Sequence, residues 1–300
     1  MLWFLLAALA PALWALSNHI DKYLLGQRRS VGTLMIYSAA VGVVLLPIIA
    51  LVQPHVLSIT PLHAAIVLVN GVLYVLSLLP YYYALQRDET SLVVPLFQTT
   101  AIFSYVLGLV FLGEQLSLPQ LGAALLIILG AVVVALERGR QRPRVKADVL
   151  GLMLLAALLN AFNWFLFKYV AIQEDFWVSS FWEYTGFALV GACLLFGVRQ
   201  YREEVRASLR DGGWRLVRLV SLNEAIGVSA KMATNLASLL APLALIATVH
   251  SLQPLFAFAY AVLLTRYAPR YGHEQLSRAI IAQRLLAICL IVAGTWALSA

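Results

Sequence analysis

Charge is what this sequence has least of. Asp, Glu, Lys and Arg make up 12% of its 300 residues, against 62% hydrophobic, where a soluble domain carries about 25% charged residues. That excludes an ordinary water-soluble globule and points to an all-α integral membrane protein. The longest polar stretches, Glu137 to Asp148 and Arg199 to Arg215, are too short to fold alone, so one membrane domain fills the chain. Cysteine is nearly absent too. Cys193 and Cys289 lie inside apolar runs with no CxxC and no Cys/His cluster, which argues against a disulfide framework or a zinc site and reads them as small core residues. No HExxH, GxSxG or GxGD motif places a metal, a nucleophile or paired aspartates, so an intramembrane enzyme is not indicated and no cofactor is expected. The first basic residue is Lys22. The opening apolar run therefore lacks the positive flank of a cleaved signal peptide and is expected to stay as a span.

The net charge of +7 could suggest a nucleic-acid partner. The Lys and Arg sit instead in short loops between apolar runs, where they orient a chain in a membrane, and no nucleic acid is expected. Runs of about 20 apolar residues predict ten spans: Leu2 to Leu24, Val31 to Val52, Pro61 to Leu85, Thr90 to Leu112, Leu118 to Leu136, Val149 to Ala171, Trp177 to Val198, Leu216 to Leu239, Pro242 to Thr265 and Arg278 to Leu298. Pro11, Pro47, Pro80, Pro95 and Pro254 fall inside spans and should bend them, because each removes a helical donor.

The chain also repeats itself. Glu114-Gln115-Leu116-Ser117 after the fourth span recurs as Glu274-Gln275-Leu276-Ser277 after the ninth. Lys22-Tyr23 at the end of the first span recurs as Lys168-Tyr169 at the end of the sixth, and Tyr37-Ser38 in the second matches Tyr184-Thr185 in the seventh. The common order implies two five-helix halves, residues 1–140 and 147–300. An odd number of spans per half forces opposite orientations, the inverted-repeat plan of many secondary transporters. Eighteen Lys and Arg, from Lys22 to Arg278, fall in loops on one side of the ten spans. The positive-inside rule makes that side cytoplasmic and both termini extracytoplasmic, with Trp3, Trp177 and Trp296 at the outer interface of a plasma or inner membrane. Arg199, Arg202, Arg206 and Arg210 suit either a basic helix on the inner leaflet or a solvated orientation signal.

The eighth span carries a polar stripe. Glu224, Lys231, Asn235 and Ser238 are spaced seven, four and three apart, which sets them on one helix face. Charges in hydrocarbon cost several kcal/mol, so they face a bundle interior or a wet pathway, unless they only lock helices together as ion pairs. On a rise of about 1.5 Å per residue, Glu224 and Gln98 share a level near the cytoplasmic side, while Lys231, His250 and Glu183 share one nearer the outside. Lys231 is then placed to pair with Glu183, leaving Glu224 without a basic partner and able to carry a proton. Trp14, Tyr37, Tyr81, Tyr82, Tyr105, Trp164, Trp182 and Tyr184 supply aromatic faces, and Asn160, Asn163 and Asn223 supply amides costly in lipid; together they suit a cavity lining, with core packing as the alternative for each. His19, Asp21 and Lys22 read chiefly as interface anchors, with gating as the alternative, and His250 alone as a core histidine or a proton relay.

Ten spans in two halves, a fourth span that ends Leu112-Gly113-Glu114, a Gln120-x-Gly122 helix with Gly130 after it, and Ser251-Leu252-Gln253-Pro254-Leu255 in the ninth span resemble the EamA family of the drug/metabolite transporter superfamily. Two departures stand out. The second-half Gly-Glu pair is His273-Glu274, set off by Arg266 to Gly272, and members are commonly drawn with cytoplasmic termini. The resemblance implies export or exchange of a small metabolite through a central cavity between the halves. Membrane lipid and a small-molecule solute are the expected partners, with protons as a candidate coupling ion. A lipid flippase or a membrane-embedded partner subunit is the alternative that the basic segment keeps open.

Overall fold

The computed structural model describes residues 2–26, 30–87, 93–94, 96–115, 117–135, 147–267 and scattered positions from 282 to 297. Arg28, Arg29, Pro95, the basic join 136–146, the Glu274 repeat motif, Trp296 and much of the expected tenth span lie outside the described residues. Among the described residues the regular elements are all helices: α1 (Leu2–Gly26), α2 (Val31–Val52), α3 (Pro61–Arg87), a 3-10 turn (Phe97–Thr99), α4 (Thr100–Leu112), α5 (Leu118–Ala135), α6 (Ala147–Ala171), α7 (Phe176–Gly197), α8 (Arg199–Leu240), α9 (Leu243–His250) and α10 (Gln253–Tyr267). Among the described residues six stretches are long and apolar enough to cross a membrane: α1, α2, α3, α6, α7 and Leu243–Tyr267, which α9 and α10 make together; α4 and α5 are shorter apolar helices.

The starts and stops have local causes. Ser30, in extended backbone, accepts the Thr33 N–H and opens α2; Asp175 accepts from Trp177 and Val178 and opens α7. Both are side-chain caps for donors that a helix cannot satisfy itself. Gly113 closes α4 in the left-handed region (φ 64°), which favours a residue without a Cβ. The Glu114 N–H then reaches back to the Gly108 carbonyl at 3.0 Å.

At Pro254 a bend was expected; the structure breaks the helix. α9 ends at His250, Ser251 and Leu252 turn, and Pro254 enters the first turn of α10, where its missing N–H costs nothing. A second break falls at Gly213 (φ 52°), so α8 is two helices, a basic piece before it and a membrane-length piece after it. The basic piece is not merely solvated. Glu204 takes hydrogen bonds from Ser30 and Thr33 at the start of α2, and Ser208 pairs with the Tyr37 hydroxyl at 2.8 Å.

The main packing pairs are α3 with α6 and α7, α1 with α8, and α2 with α7. α3 and α7 nearly touch: a Cβ at Gly71 would lie 2.0 Å from the Glu183 carbonyl, and one at Gly186 2.3 Å from the Leu68 carbonyl. Small residues at such crossings let backbones approach. Here they carry Glu183 into the interior. Large apolar side chains face outward, Leu51, Leu118 and Phe196 among them, as a surface against lipid requires. The cysteines correct their assignment to the core, because Cys193 and Cys289 are free and exposed on helix surfaces.

Candidate functional site

A cavity of about 90 Å³ opens between the helices, several times the roughly 10–15 Å³ that one water needs. α1 contributes Trp14, Ser17, Asn18 and Asp21; α3 contributes Tyr74, Ser77, Tyr81 and Tyr82; α8 contributes Asn223, Glu224 and Lys231. Ser38, Gln98, Asn160, Trp164, Tyr184 and His250 complete much of the polar and aromatic wall. Two polar groupings meet there, and they differ in how well they are satisfied.

The first is a knot around Glu183, which is fully buried. Its Oε1 lies 3.0 Å from Lys231 Nζ and accepts from Asn70 Nδ2 (2.8 Å) and Asn163 Nδ2 (3.0 Å). Its Oε2 accepts from Asn235 Nδ2 at 3.0 Å. Lys231 also donates to Asn163 Oδ1 (2.9 Å), and its ammonium sits 4.3 Å from the centre of the Tyr74 ring. The expected pair of Lys231 with Glu183 is therefore present. Asn235, Asn163 and Glu183 were expected on the cavity wall; they lie behind it, drawn in by their mutual hydrogen bonds, and Lys231 alone of the four reaches the lining. Tyr37 also leaves the wall, because its hydroxyl is taken by Ser208 on the basic piece of α8. Asn70, at the centre of the knot, was not foreseen.

The second grouping holds two carboxylates. Asp21 Oδ1 accepts from Asn223 Nδ2 at 2.8 Å, and Asn223 Oδ1 accepts from Ser17 at 2.8 Å. Glu224 Oε1 accepts from Ser38 at 2.9 Å. These partners are neutral, and among the described residues no ion pair reaches either acid. Asp21 corrects its reading as an interface anchor, for it is buried and lines the cavity. The signal was present: Trp14, Ser17, Asn18 and Asp21 recur at helical spacing on one face of α1. Its neighbours bind the backbone of other helices. Lys22 donates to the Leu85 carbonyl (2.7 Å), and His19 contacts the Ala257 carbonyl (2.9 Å).

Gln98 and Asn160 reach the wall as expected. His250 does too, stacked edge-on against Trp164 with centroids 4.8 Å apart and 3.2 Å from the Thr234 hydroxyl. Two buried wall atoms have no partner among the described residues, Asn18 Nδ2 and the Tyr184 hydroxyl. Away from the cavity, Glu114 binds Lys168 (2.5 Å) and accepts the Leu243 N–H (2.8 Å), while Lys168 donates to the Ala241 carbonyl (2.8 Å). The Leu112-Gly113-Glu114 motif thereby ties the end of α4 to α6 and to the α8–α9 join.

Residues 1–136 match the model of the EamA-like transporter family. An uncharacterized protein of Methanocaldococcus jannaschii is 32% identical over 97 residues, which are 32% of this chain and 71% of that protein. A solved crystal structure, 17% identical, aligns over 98% of this chain and 94% of its own with a TM-score of 0.69, a likeness of fold alone. The chain belongs to the EamA-like transporter family, a family of multi-pass membrane transporters within the drug/metabolite transporter superfamily.

Proposed function

We propose that the protein is a secondary transporter, an exporter or exchanger of a small polar or amphipathic metabolite, which binds in the central cavity and moves in exchange for protons carried by Glu224. The carrying observation is the cavity itself. It joins aromatic faces to two carboxylates that no described cation neutralises, an arrangement costly to keep inside a membrane unless a pathway uses it. Glu224 bonds Ser38 on α2 and shares the cavity wall with Tyr74 and Tyr82 on α3, Asp21 on α1 and Lys231 two turns along its own helix. Lys231 is held by Glu183, so a proton is the counter-charge within reach of Glu224.

The architecture we infer is ten spans in two inverted halves, 1–140 and 147–300, in a plasma or inner membrane with extracytoplasmic termini. The packing supports it. Exchanging the spans of one half for those of the other turns the contact of α3 with α6 into that of α8 with α1, and leaves that of α2 with α7 unchanged. Lys22 donates to the carbonyl of Leu85 at the end of the third span, as Lys168 does to that of Ala241 at the end of the eighth. The halves then each span the membrane in opposite orientations, the plan on which alternating access is built in many secondary transporters.

The test is transport in proteoliposomes, with the solute chosen by comparing metabolites in cells with and without the protein. The Glu224→Gln variant should lose uptake driven by a pH gradient and keep exchange without one at saturating solute. Unchanged pH-driven uptake in that variant would overturn the carrier role.

A further inference from the structure

We propose that the cargo of this cavity is a protonated amine that bears a hydrogen-bond acceptor, its ammonium held by Asp21 and Glu224. This rests on the transport reading and adds the substrate's charge. The argument is a count of charges and donors on the wall. Asp21 is buried and Glu224 half-buried, and the described partners of these carboxyl groups are the neutral groups Asn223 and Ser38. The wall's ammonium, Lys231, already faces Glu183 and Asn163. Without cargo a proton can neutralise such an acid; a cationic solute can take the proton's place, whereas a neutral solute cannot and an anion would add a further negative group. A cation is therefore the solute that exchanges for the proton, because a charge out of water is tolerated when it is paired.

The aromatic faces select the kind of cation. Lys231 Nζ lies 4.3 Å from the Tyr74 ring centre, so rings of this wall already receive an ammonium, the geometry of a cation–π contact. A bare metal ion is less suited. It needs several oxygen ligands, and among the described residues no three His, Cys, Asp or Glu are grouped to hold one. The acceptor follows from Asn18. Its Oδ1 takes the Tyr81 hydroxyl at 2.9 Å, while its Nδ2 is buried at the wall without a partner. An amide N–H left so is costly until an acceptor meets it. Asn18 lies one helical turn from Asp21, so the acceptor belongs close to the amine.

Binding to the purified full-length protein tests this with compounds that share a body and differ in charge: 2-phenylethylamine, 2-phenylethanol and phenylacetate, read by tryptophan fluorescence and thermal shift. The amine should bind at least tenfold more tightly than the other two. Asp21→Asn and Glu224→Gln, both isosteric, should each weaken the amine at least tenfold and leave 2-phenylethanol unchanged, whereas a variant damaged in folding would weaken both. Adding a hydroxyl beside the amine, in 2-amino-1-phenylethanol, should strengthen binding to the native protein but not to Asn18→Leu. Phenylacetate or 2-phenylethanol binding as tightly as the amine overturns the proposal, as does binding of none of the compounds, or amine binding unchanged in the double acid variant. An absent hydroxyl gain overturns the acceptor. Flux of the same compounds in proteoliposomes keeps the two claims apart: amine binding without flux contradicts the transport reading, and flux of phenylacetate alone contradicts the charge assignment.

Discussion

Glu183, fully buried, and Glu224, half-buried on the cavity wall, are glutamates of one helical bundle, yet they stand in opposite chemical situations. Glu183 has a lysine and three asparagine amides on its two oxygens, whereas Glu224 has one serine. A saturated buried network holds helices in a single arrangement. An unsaturated one holds little and leaves its group available. On the proposed transport reading, the contrast divides rigidity from function in this bundle: the knot is the scaffold, and the acids on the wall are the proposed working surface.

The largest effect should come from cutting the knot. Lys231→Ala leaves Glu183 buried without its cation and should cost about 3–5 kcal/mol, read as thermal unfolding of the purified protein in detergent. Adding Glu183→Ala should recover part of that loss. A double variant no more stable than Lys231→Ala would mean that the pair is not what holds the knot.

Opening the α3–α7 contact that presents Glu183 ranks next. Gly186→Ala sets a methyl 2.3 Å from the Leu68 carbonyl, and backbone must move to admit it. The expected cost is about 1–3 kcal/mol, measured by the same unfolding. An unchanged midpoint would show that the helices separate freely and that the contact does not position the glutamate.

The smallest effect on stability belongs to the wall. Glu224→Gln keeps the shape and the acceptor for Ser38, so unfolding should shift by less than about 1 kcal/mol, while pH-driven transport is lost. A large drop in stability would place Glu224 with the scaffold and erase the contrast.

Much of this contrast was legible in the sequence. Scarce charge and long apolar runs announced a membrane protein, and depth along the helices placed Lys231 opposite Glu183 and left Glu224 alone. The asparagines were harder, because a polar residue in a span can face a cavity or another polar residue, and spacing on one helix does not distinguish them. Asn163 and Asn235 took the second course. Asp21 was obscured by position, since an acid beside Lys22 near a helix end looks like an interface residue until α8 brings Asn223 against it. Tyr37 was misplaced because the break at Gly213, where the basic piece folds onto α2, leaves no hydrophobic periodicity to read.

Labelling with a hydrophobic carbodiimide, which reacts with protonated carboxyls that it can reach, compares the two glutamates in one sample of native protein without any knowledge of the cargo. After proteolysis and mass spectrometry, the peptide containing Glu224 should be modified at neutral pH and that containing Glu183 should not. Equal labelling of Glu183, or none of Glu224, would contradict the division between a sealed scaffold and a proton-carrying wall.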